Sequence, residues 1–224
     1  MSTPTISQIE ATLDMIERMP ADSVLIQHDV TWDEYEELLT AMGEAKGLRI
    51  SYGEGRLQIM TLSPKHEKYA RLIDLLVGLL SVRLHTRVLF YGSSTIKKQR
   101  EQKGAEPDGC FYVEKANLVG KKDQIDFNTD PPPDIVVEVD LHHESISKFP
   151  IYAMLGVPEI WRYEGESLTI YQLRESEYVA SESSQSLPLL TGAVLTDFLR
   201  RIPDEDQYEI LLAFEDWLRA QPQS

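Results

Sequence analysis

Apolar residues recur at helical spacing in several stretches of the chain, and capping signals mark where some of the helices start. Thr31 and Glu34 have the spacing of a capping box, in which each side chain bonds the backbone N–H of the other residue. Ser63-Pro64 places a proline at the first position of a helix. The predicted helices cover residues 6–19, 32–47, 63–84, 145–155, 196–201 and 207–220.

Alternation with a period of two predicts the strands. Residues 48–52 and 57–59 alternate around a Glu-Gly turn, which predicts a hairpin. Residues 135–139, Ile-Val-Val-Glu-Val, are apolar on both faces apart from Glu138, which is typical of a buried central strand. The other predicted strands are 88–91, 95–98, 110–113, 160–163 and 168–173, and residues 120–133 are predicted to form a loop.

The composition is that of an ordinary globular protein. With 224 residues and no internal repeat, the chain suits one domain with a substantial core. The single Cys110 excludes an intramolecular disulfide and favours a reducing compartment. The longest apolar stretch is too short to span a membrane, and the first residues lack a signal-peptide pattern, so we expect a cytoplasmic protein without a membrane partner.

The net charge of −15 argues against a nucleic-acid partner, because phosphate contacts need Lys and Arg. A local basic run is nevertheless present, formed by Lys97, Lys98, Arg100 and Lys103. This run could bind a phosphate backbone, or it could be a solvated hairpin edge that is protected by lysines.

The strongest chemical signal is Glu138, a carboxylate within the most apolar strand. A buried carboxylate either takes up a proton or finds a cation. If the segment that begins Glu106-Pro107-Asp108 pairs with this strand, Asp108 and Glu138 come within roughly 5 Å, and two carboxylates that close favour a cation between them. Oxygen ligands without a Cys or His cluster favour magnesium over zinc. The alternative is that Glu138 pairs with a buried Arg or Lys while Asp108 caps a turn.

Four segments resemble the Uma-two family of restriction-endonuclease-like proteins, in the PD-(D/E)XK nuclease superfamily. They are Ser-Pro-Lys-His-Glu (63–67), Glu-Pro-Asp-Gly-Cys-Phe-Tyr-Val (106–113), Pro-Pro-Asp-Ile-Val-Val-Glu-Val (132–139) and Lys-Phe-Pro-Ile-Tyr-Ala-Met-Leu-Gly-Val-Pro-Glu-Ile-Trp (148–161). The resemblance spans roughly residues 30–210 and implies an α/β protein with a restriction-endonuclease-like core, in which helices flank a central mixed β-sheet. We expect a helical extension at 1–30, the nuclease-like domain at 31–203, and a C-terminal helix at 204–224 packed on that domain.

The resemblance implies that Asp108 and Glu138 are catalytic metal ligands. The superfamily lysine lies two residues after the acid, where this chain has Asp140. The resemblance therefore implies a relocated catalytic lysine, for which Lys148 is the candidate. Asp140 is either a third metal ligand or a polar strand end.

Four further positions are weaker candidates. His66 is either a metal ligand or a hydrogen-bonded core histidine, and Glu67 is either a ligand or part of a solvated face. His142 and His143 are interpreted as a solvated loop pair, the alternative being that one of the two imidazoles faces the metal.

Together these features predict a magnesium- or manganese-dependent endonuclease that hydrolyses phosphodiester bonds in DNA and acts as a homodimer. One alternative is an inactive nuclease fold that serves as a binding or dimerisation module. Another is a hydrolase of smaller phosphate esters, which an acidic surface would suit better than a duplex.

Overall fold

The computed structural model describes residues 6–43, 47–122, 124–142 and 148–222. In this part of the chain the helices are α1 (Ile6–Glu17), α2 (Trp32–Met42), α3 (Pro64–Arg83), α4 (Ala116–Val119), α5 (Phe149–Leu155), α6 (Gly192–Leu199) and α7 (Gln207–Arg219). The strands are β1 (Val24–Gln27), β2 (Leu48–Gly53), β3 (Arg56–Thr61), β4 (Leu89–Phe90), β5 (Ile96–Lys98), β6 (Lys103–Ala105), β7 (Gly109–Tyr112), β8 (Ile135–Val139), β9 (Glu159–Tyr163), β10 (Leu168–Arg174) and β11 (Glu177–Ser181).

The strands form two sheets, and helices flank them, so the predicted α/β class with a mixed sheet is confirmed. The first sheet has five strands in the order β1-β3-β2-β6-β5, and all its pairings are antiparallel. The second has six strands in the order β11-β10-β9-β8-β7-β4 and is mixed, because β8 runs parallel to β9. The sequence patterns did not predict that the strands divide into two sheets.

Among the described residues, three large apolar clusters hold these layers together, and a small fourth cluster packs α4 against β7. The largest lies between the mixed sheet and helices α3, α6 and α7. The second joins the two sheets through α5, and it contains Ala105 from β6, Cys110 from β7, and Val136 from β8. The third packs α1 and α2 against the five-stranded sheet. Because both faces of β8 are covered, all five of its residues are buried.

Capping residues start helices α2 and α3 where the sequence predicted them. Thr31 and Glu34 form both hydrogen bonds of the capping box at the start of α2. The Ser63 hydroxyl accepts a hydrogen bond from the His66 amide, with Pro64 at the first helical turn, so α3 begins where the sequence indicates. This cap places His66 on the first turn, facing the interior.

Other boundaries differ from the prediction. Helix α2 ends at Met42 rather than near residue 47, because Gly43 has φ 56° and terminates the helix. Helix α6 begins at Gly192 rather than at 196, since the Thr191 hydroxyl caps it earlier. Residues 143–147, which include His143 and the predicted start of a helix at 145, lie outside the described residues. None of the described helices is long and apolar enough to cross a membrane.

Candidate active site

Asp108 lies where the chain passes from the five-stranded sheet into the mixed sheet, directly before β7. Gly109 pairs with Val137, so Asp108 and Glu138 are adjacent positions of neighbouring antiparallel strands. Cys110 and Val136 pack into the same core, and side chains two residues apart on a strand share a face. Asp108 and Glu138 therefore both lie on the α5 side of the sheet.

The Asp108 carboxylate is fully buried and fully engaged. Its Oδ1 accepts a hydrogen bond from Arg49 Nε at 2.9 Å, and its Oδ2 accepts one from the Val139 amide at 2.8 Å. Burial alone would raise the pKa of Asp108, but His66, Arg49 and Lys148 outweigh it and lower the pKa to about 2. Asp108 therefore stays ionised.

His66 lies beside this carboxylate, with Nε2 at 3.2 Å from Asp108 Oδ2. Neither ring nitrogen has a well-aligned hydrogen bond among the described residues, so the attraction is mainly electrostatic. Burial opposes a charged imidazole, but the Asp108 carboxylate prevails and raises the pKa of His66. His66 is thus a buried imidazole next to the predicted metal ligand, and its Nδ1 has no hydrogen-bond partner in the described part of the chain.

Glu138 has a different environment. Its Oε2 accepts a hydrogen bond from Lys148 Nζ at 2.8 Å, and its Oε1 accepts one from the Tyr152 hydroxyl. Burial raises the pKa of Glu138, and the charge of Asp108 raises it further. The Lys148 ammonium lowers the pKa but offsets only part of this effect, so the pKa is about 7. Burial raises the pKa of Tyr152, and the neighbouring Glu138 carboxylate raises it further. The Tyr152 hydroxyl therefore keeps its proton and donates a hydrogen bond to Glu138.

Lys148 points into the protein, as the resemblance requires. It directly precedes α5, its side chain is buried, and Nζ also lies 3.3 Å from the Glu106 carbonyl oxygen. Burial disfavours the ammonium, but Glu138 and Asp108 raise the pKa of Lys148. Tyr152 follows four residues later, so both side chains reach Glu138 from one side of α5.

Glu106 adds a fourth carboxylate to the group formed with Glu67, Asp108 and Glu138. Its oxygens accept hydrogen bonds from the Ile50 amide at 3.0 Å and the Thr95 hydroxyl at 2.6 Å.

In the part of the chain that the structure describes, the permanent cations beside these four carboxyl groups are Arg49 and Lys148. Carboxyl groups thus outnumber permanent cations by two, and burial raises the pKa of two of them, Glu106 and Glu138. Among the described residues no three His, Cys, Asp or Glu side chains converge as a ready-made metal cluster. Two carboxylates completed by water and substrate oxygens suit magnesium, so the donor set fits a hard divalent ion.

The other predicted site residues lie at the margin or are paired elsewhere. The Asp140 carboxylate bonds Arg162 Nε at 2.5 Å, which favours the interpretation as a polar strand end. Glu67 is half-exposed and lies 3.4 Å from Arg49 Nη2. His142 is exposed, with Nε2 at 3.8 Å from an Asp22 oxygen.

The basic run lies on the hairpin of β5 and β6, where β5 is an edge strand. Lys97 pairs with Glu36 at 2.7 Å, Lys98 donates to the Leu155 carbonyl at 3.0 Å, and Lys103 pairs with Glu54 at 3.0 Å. Arg100 is exposed. These contacts favour the interpretation as a protected hairpin edge over that of a phosphate-binding surface.

Three residues of the site were missed from the sequence, namely Arg49, Glu106 and Tyr152. Tyr152 has a readable signal, because it lies one helical turn after Lys148. Arg49 has none, since it occupies what the alternation marks as an outward position of the first hairpin. It is buried because α3 and the Asp108 corner cover that face of β2.

A cleft of about 700 Å³ borders the cluster on the side of Arg49, Glu67 and Glu106, while Asp108, Glu138 and Lys148 lie behind its lining. Its lining includes Leu48, Arg49, Glu67, Ser94, Thr95 and Glu106.

Comparisons with known proteins agree with this architecture. The model of the Uma2 family, described as "Putative restriction endonuclease", matches residues 32–202. Among solved structures, a crystal structure titled as a "putative nuclease belonging to DUF820" from Anabaena variabilis ATCC 29413 superposes with a TM-score of 0.51 at 16% identity. That match covers 76% of this chain and 99% of the other, and it shows a shared fold. No curated protein matches the chain.

Proposed function

Because the chain belongs to the Uma2 family, whose model spans residues 32–202, we propose that it is a metal-dependent endonuclease that hydrolyses phosphodiester bonds in DNA. The observation that carries the proposal is the meeting of Asp108, Glu138 and Lys148 on one face of the mixed sheet. These residues come from three separate segments. Each acid also has a buried cationic partner, Arg49 for Asp108 and Lys148 for Glu138, so the structural alternative of buried ion pairs is the one that the cleavage assay must separate from catalysis.

In the proposed reaction Asp108 and Glu138 would hold a magnesium or manganese ion. The bound ion would polarise the scissile phosphate and lower the pKa of a water molecule. Lys148 donates hydrogen bonds from its ammonium and orients the attacking water beside Glu138. Tyr152 holds the other Glu138 oxygen, so the carboxylate keeps one orientation.

His66 and Glu67 are proposed as auxiliary groups. His66 adjoins Asp108 with an unused ring nitrogen, and Glu67 lies at the cleft mouth. Asp140 is left out of the proposed ligand set because Arg162 neutralises it. Cleavage of both DNA strands would suit a homodimer, which we retain as part of the proposal.

The test is a cleavage assay on supercoiled plasmid with Mg²⁺ or Mn²⁺, and with EDTA as the metal-free control. Asp108→Asn and Lys148→Met should abolish cleavage while circular dichroism remains that of the wild type. Glu159→Gln is the matched control, because Glu159 is a buried carboxylate of the same sheet that bonds Trp161 and Gln185 instead of the site. Full cleavage by purified Asp108→Asn protein would refute the proposal.

The second candidate is a binding module without turnover. The net charge of −15 and the engaged lysines of the β5–β6 hairpin favour it, because they leave little positive surface for a duplex. In that case the wild type would act through a dimer or a partner protein and would leave the plasmid uncut in every divalent ion. Product analysis after long incubation distinguishes the two functions.

A further inference from the structure

Within the described ranges of the chain, Arg49 is the cationic side chain that both contacts a buried carboxylate of the site and lines the cleft. It lies on β2, in the middle of the five-stranded sheet, and is only 7% exposed. Its Nε donates to Asp108 at 2.9 Å, and its side chain also lines the 700 Å³ cleft. The guanidinium therefore has one edge on the predicted metal ligand and another facing the space that a substrate would enter.

The guanidinium is not saturated. It carries five N–H donors. Among the described residues Nε bonds Asp108, Nη1 bonds the Leu48 carbonyl at 2.8 Å, and Nη2 makes a long contact of 3.4 Å with half-exposed Glu67. Two N–H groups thus remain for a ligand, and the Glu67 contact is weak enough to exchange.

The other cations near the site are engaged more tightly. Lys148 is bound to Glu138 at 2.8 Å, and Lys97 and Lys103 form ion pairs with Glu36 and Glu54. A planar guanidinium also matches two phosphate oxygens at once, which a lysine cannot do.

We propose that Arg49 binds a substrate phosphate in this cleft, and that in the free protein it serves as the counterion of Asp108. The inference rests on the proposed nuclease function and names a contact of the same site. When a divalent ion neutralises Asp108, the attraction that holds Arg49 to that carboxylate weakens, and its free N–H groups face the incoming phosphate. The acidic protein thus contacts few phosphates and relies on this one.

The test measures DNA binding and metal binding separately. A short duplex oligonucleotide is titrated in Ca²⁺, which replaces Mg²⁺ to prevent turnover, between 50 and 200 mM KCl, using fluorescence anisotropy. Arg49→Met should weaken binding about tenfold and reduce the slope of log K against log salt by about 0.9, as expected for the loss of one phosphate contact. Mn²⁺ affinity, measured by calorimetry without DNA, should be unchanged or higher, because Asp108 loses its competing cation.

Two further variants separate this role from a structural one. Arg49→Lys keeps the charge beside Asp108 and should fold and bind Mn²⁺ like the wild type. It should still bind DNA more weakly than the wild type, because an ammonium cannot bond two phosphate oxygens in parallel as a guanidinium does. Arg162→Met is the matched control, since it removes another buried arginine–aspartate pair and should leave the salt slope unchanged.

The outcomes also separate this inference from the proposed function. If the wild type binds DNA and both Arg49 variants bind it with the wild-type affinity and slope, the assignment of Arg49 is overturned while the nuclease proposal stands. If the wild type binds no DNA at all in any divalent ion, both fail.

Discussion

Replacing Glu138 with glutamine should make the metal-free protein progressively more stable than the wild type as the pH rises from 5.5 to 8. The cause is the environment of the carboxyl group. Burial raises the pKa of Glu138 from 4.5 to about 7, because the Lys148 ammonium offsets only part of the desolvation and the Asp108 charge adds to it. Glutamine keeps the shape of the side chain and does not titrate.

The sign follows from proton binding. Between pH 4.5 and 7 folded Glu138 holds a proton that the unfolded chain releases, so its contribution to stability is present below pH 4.5 and is lost as the pH rises through 7. One pKa unit corresponds to about 1.4 kcal/mol. Between pH 5.5 and 8 the wild type should therefore lose roughly 2 kcal/mol relative to Glu138→Gln.

Urea unfolding in EDTA at several pH values measures this difference directly. Glu177→Gln is the control. Glu177 is exposed on β11, so this substitution removes one negative charge without touching the site. A free-energy difference between wild type and Glu138→Gln that stays constant from pH 5.5 to 8 would show that Lys148 and Tyr152 compensate the buried charge completely, and the reasoning would be wrong.

Three other substitutions test neighbouring parts of the structure. Tyr152→Phe removes the hydroxyl that donates to Glu138, so it should lower the unfolding free energy by about 1–3 kcal/mol and weaken Mn²⁺ binding in calorimetry. Tyr112→Phe is the control, because the Tyr112 hydroxyl donates to a backbone carbonyl, and its loss should lower stability without changing Mn²⁺ binding. Burial raises the pKa of Asp74 from 3.8 to about 6, so its contribution to stability is present below pH 3.8 and is lost as the pH rises through 6. Asp74→Asn should therefore gain roughly 2 kcal/mol over the wild type between pH 4 and pH 7 in urea unfolding. Asp206→Ala removes the N-cap of α7 and should lower the unfolding free energy by about 1 kcal/mol in a single transition if α7 belongs to the main domain.

Elements with strong local signals were predictable from the sequence. The start of α3 is fixed by the Ser63 hydroxyl and Pro64, and the β2–β3 hairpin follows the alternation around its Glu-Gly turn. Strand β8 is recognisable because β-branched residues fill both faces. In each case the residues that decide the structure are neighbours in the chain.

Elements that depend on distant partners were not predictable. Strand β6 reads as a basic segment, and it is a strand because β2 and β5 bond its two edges. Strand β11 is mostly exposed because it is the edge strand of the mixed sheet and pairs with β10. Helix α6 begins with Gly192, a poor helix former, because a Cβ at that position would lie 2.6 Å from the Leu168 carbonyl oxygen.

The candidate site divides in the same way. The two acids and Lys148 could be proposed from a family resemblance, because their spacing is carried by the motif segments. Arg49 could not, because nothing within β2 reveals that the Asp108 corner packs against it. Predicting that contact requires knowing how the two sheets meet.

The two carboxylates also differ in a way that no motif conveys. Asp108 receives a guanidinium, a backbone amide and an imidazole, so its charge is satisfied in the folded chain whether or not an ion is present. Glu138 receives one ammonium and one neutral hydroxyl, which do not fully offset burial. One negative charge of the site is therefore permanent, and the second depends on a cation. If the site binds a divalent ion as proposed, that ion would stabilise the ionised form of Glu138, so the metal-free and metal-bound states should differ by a proton.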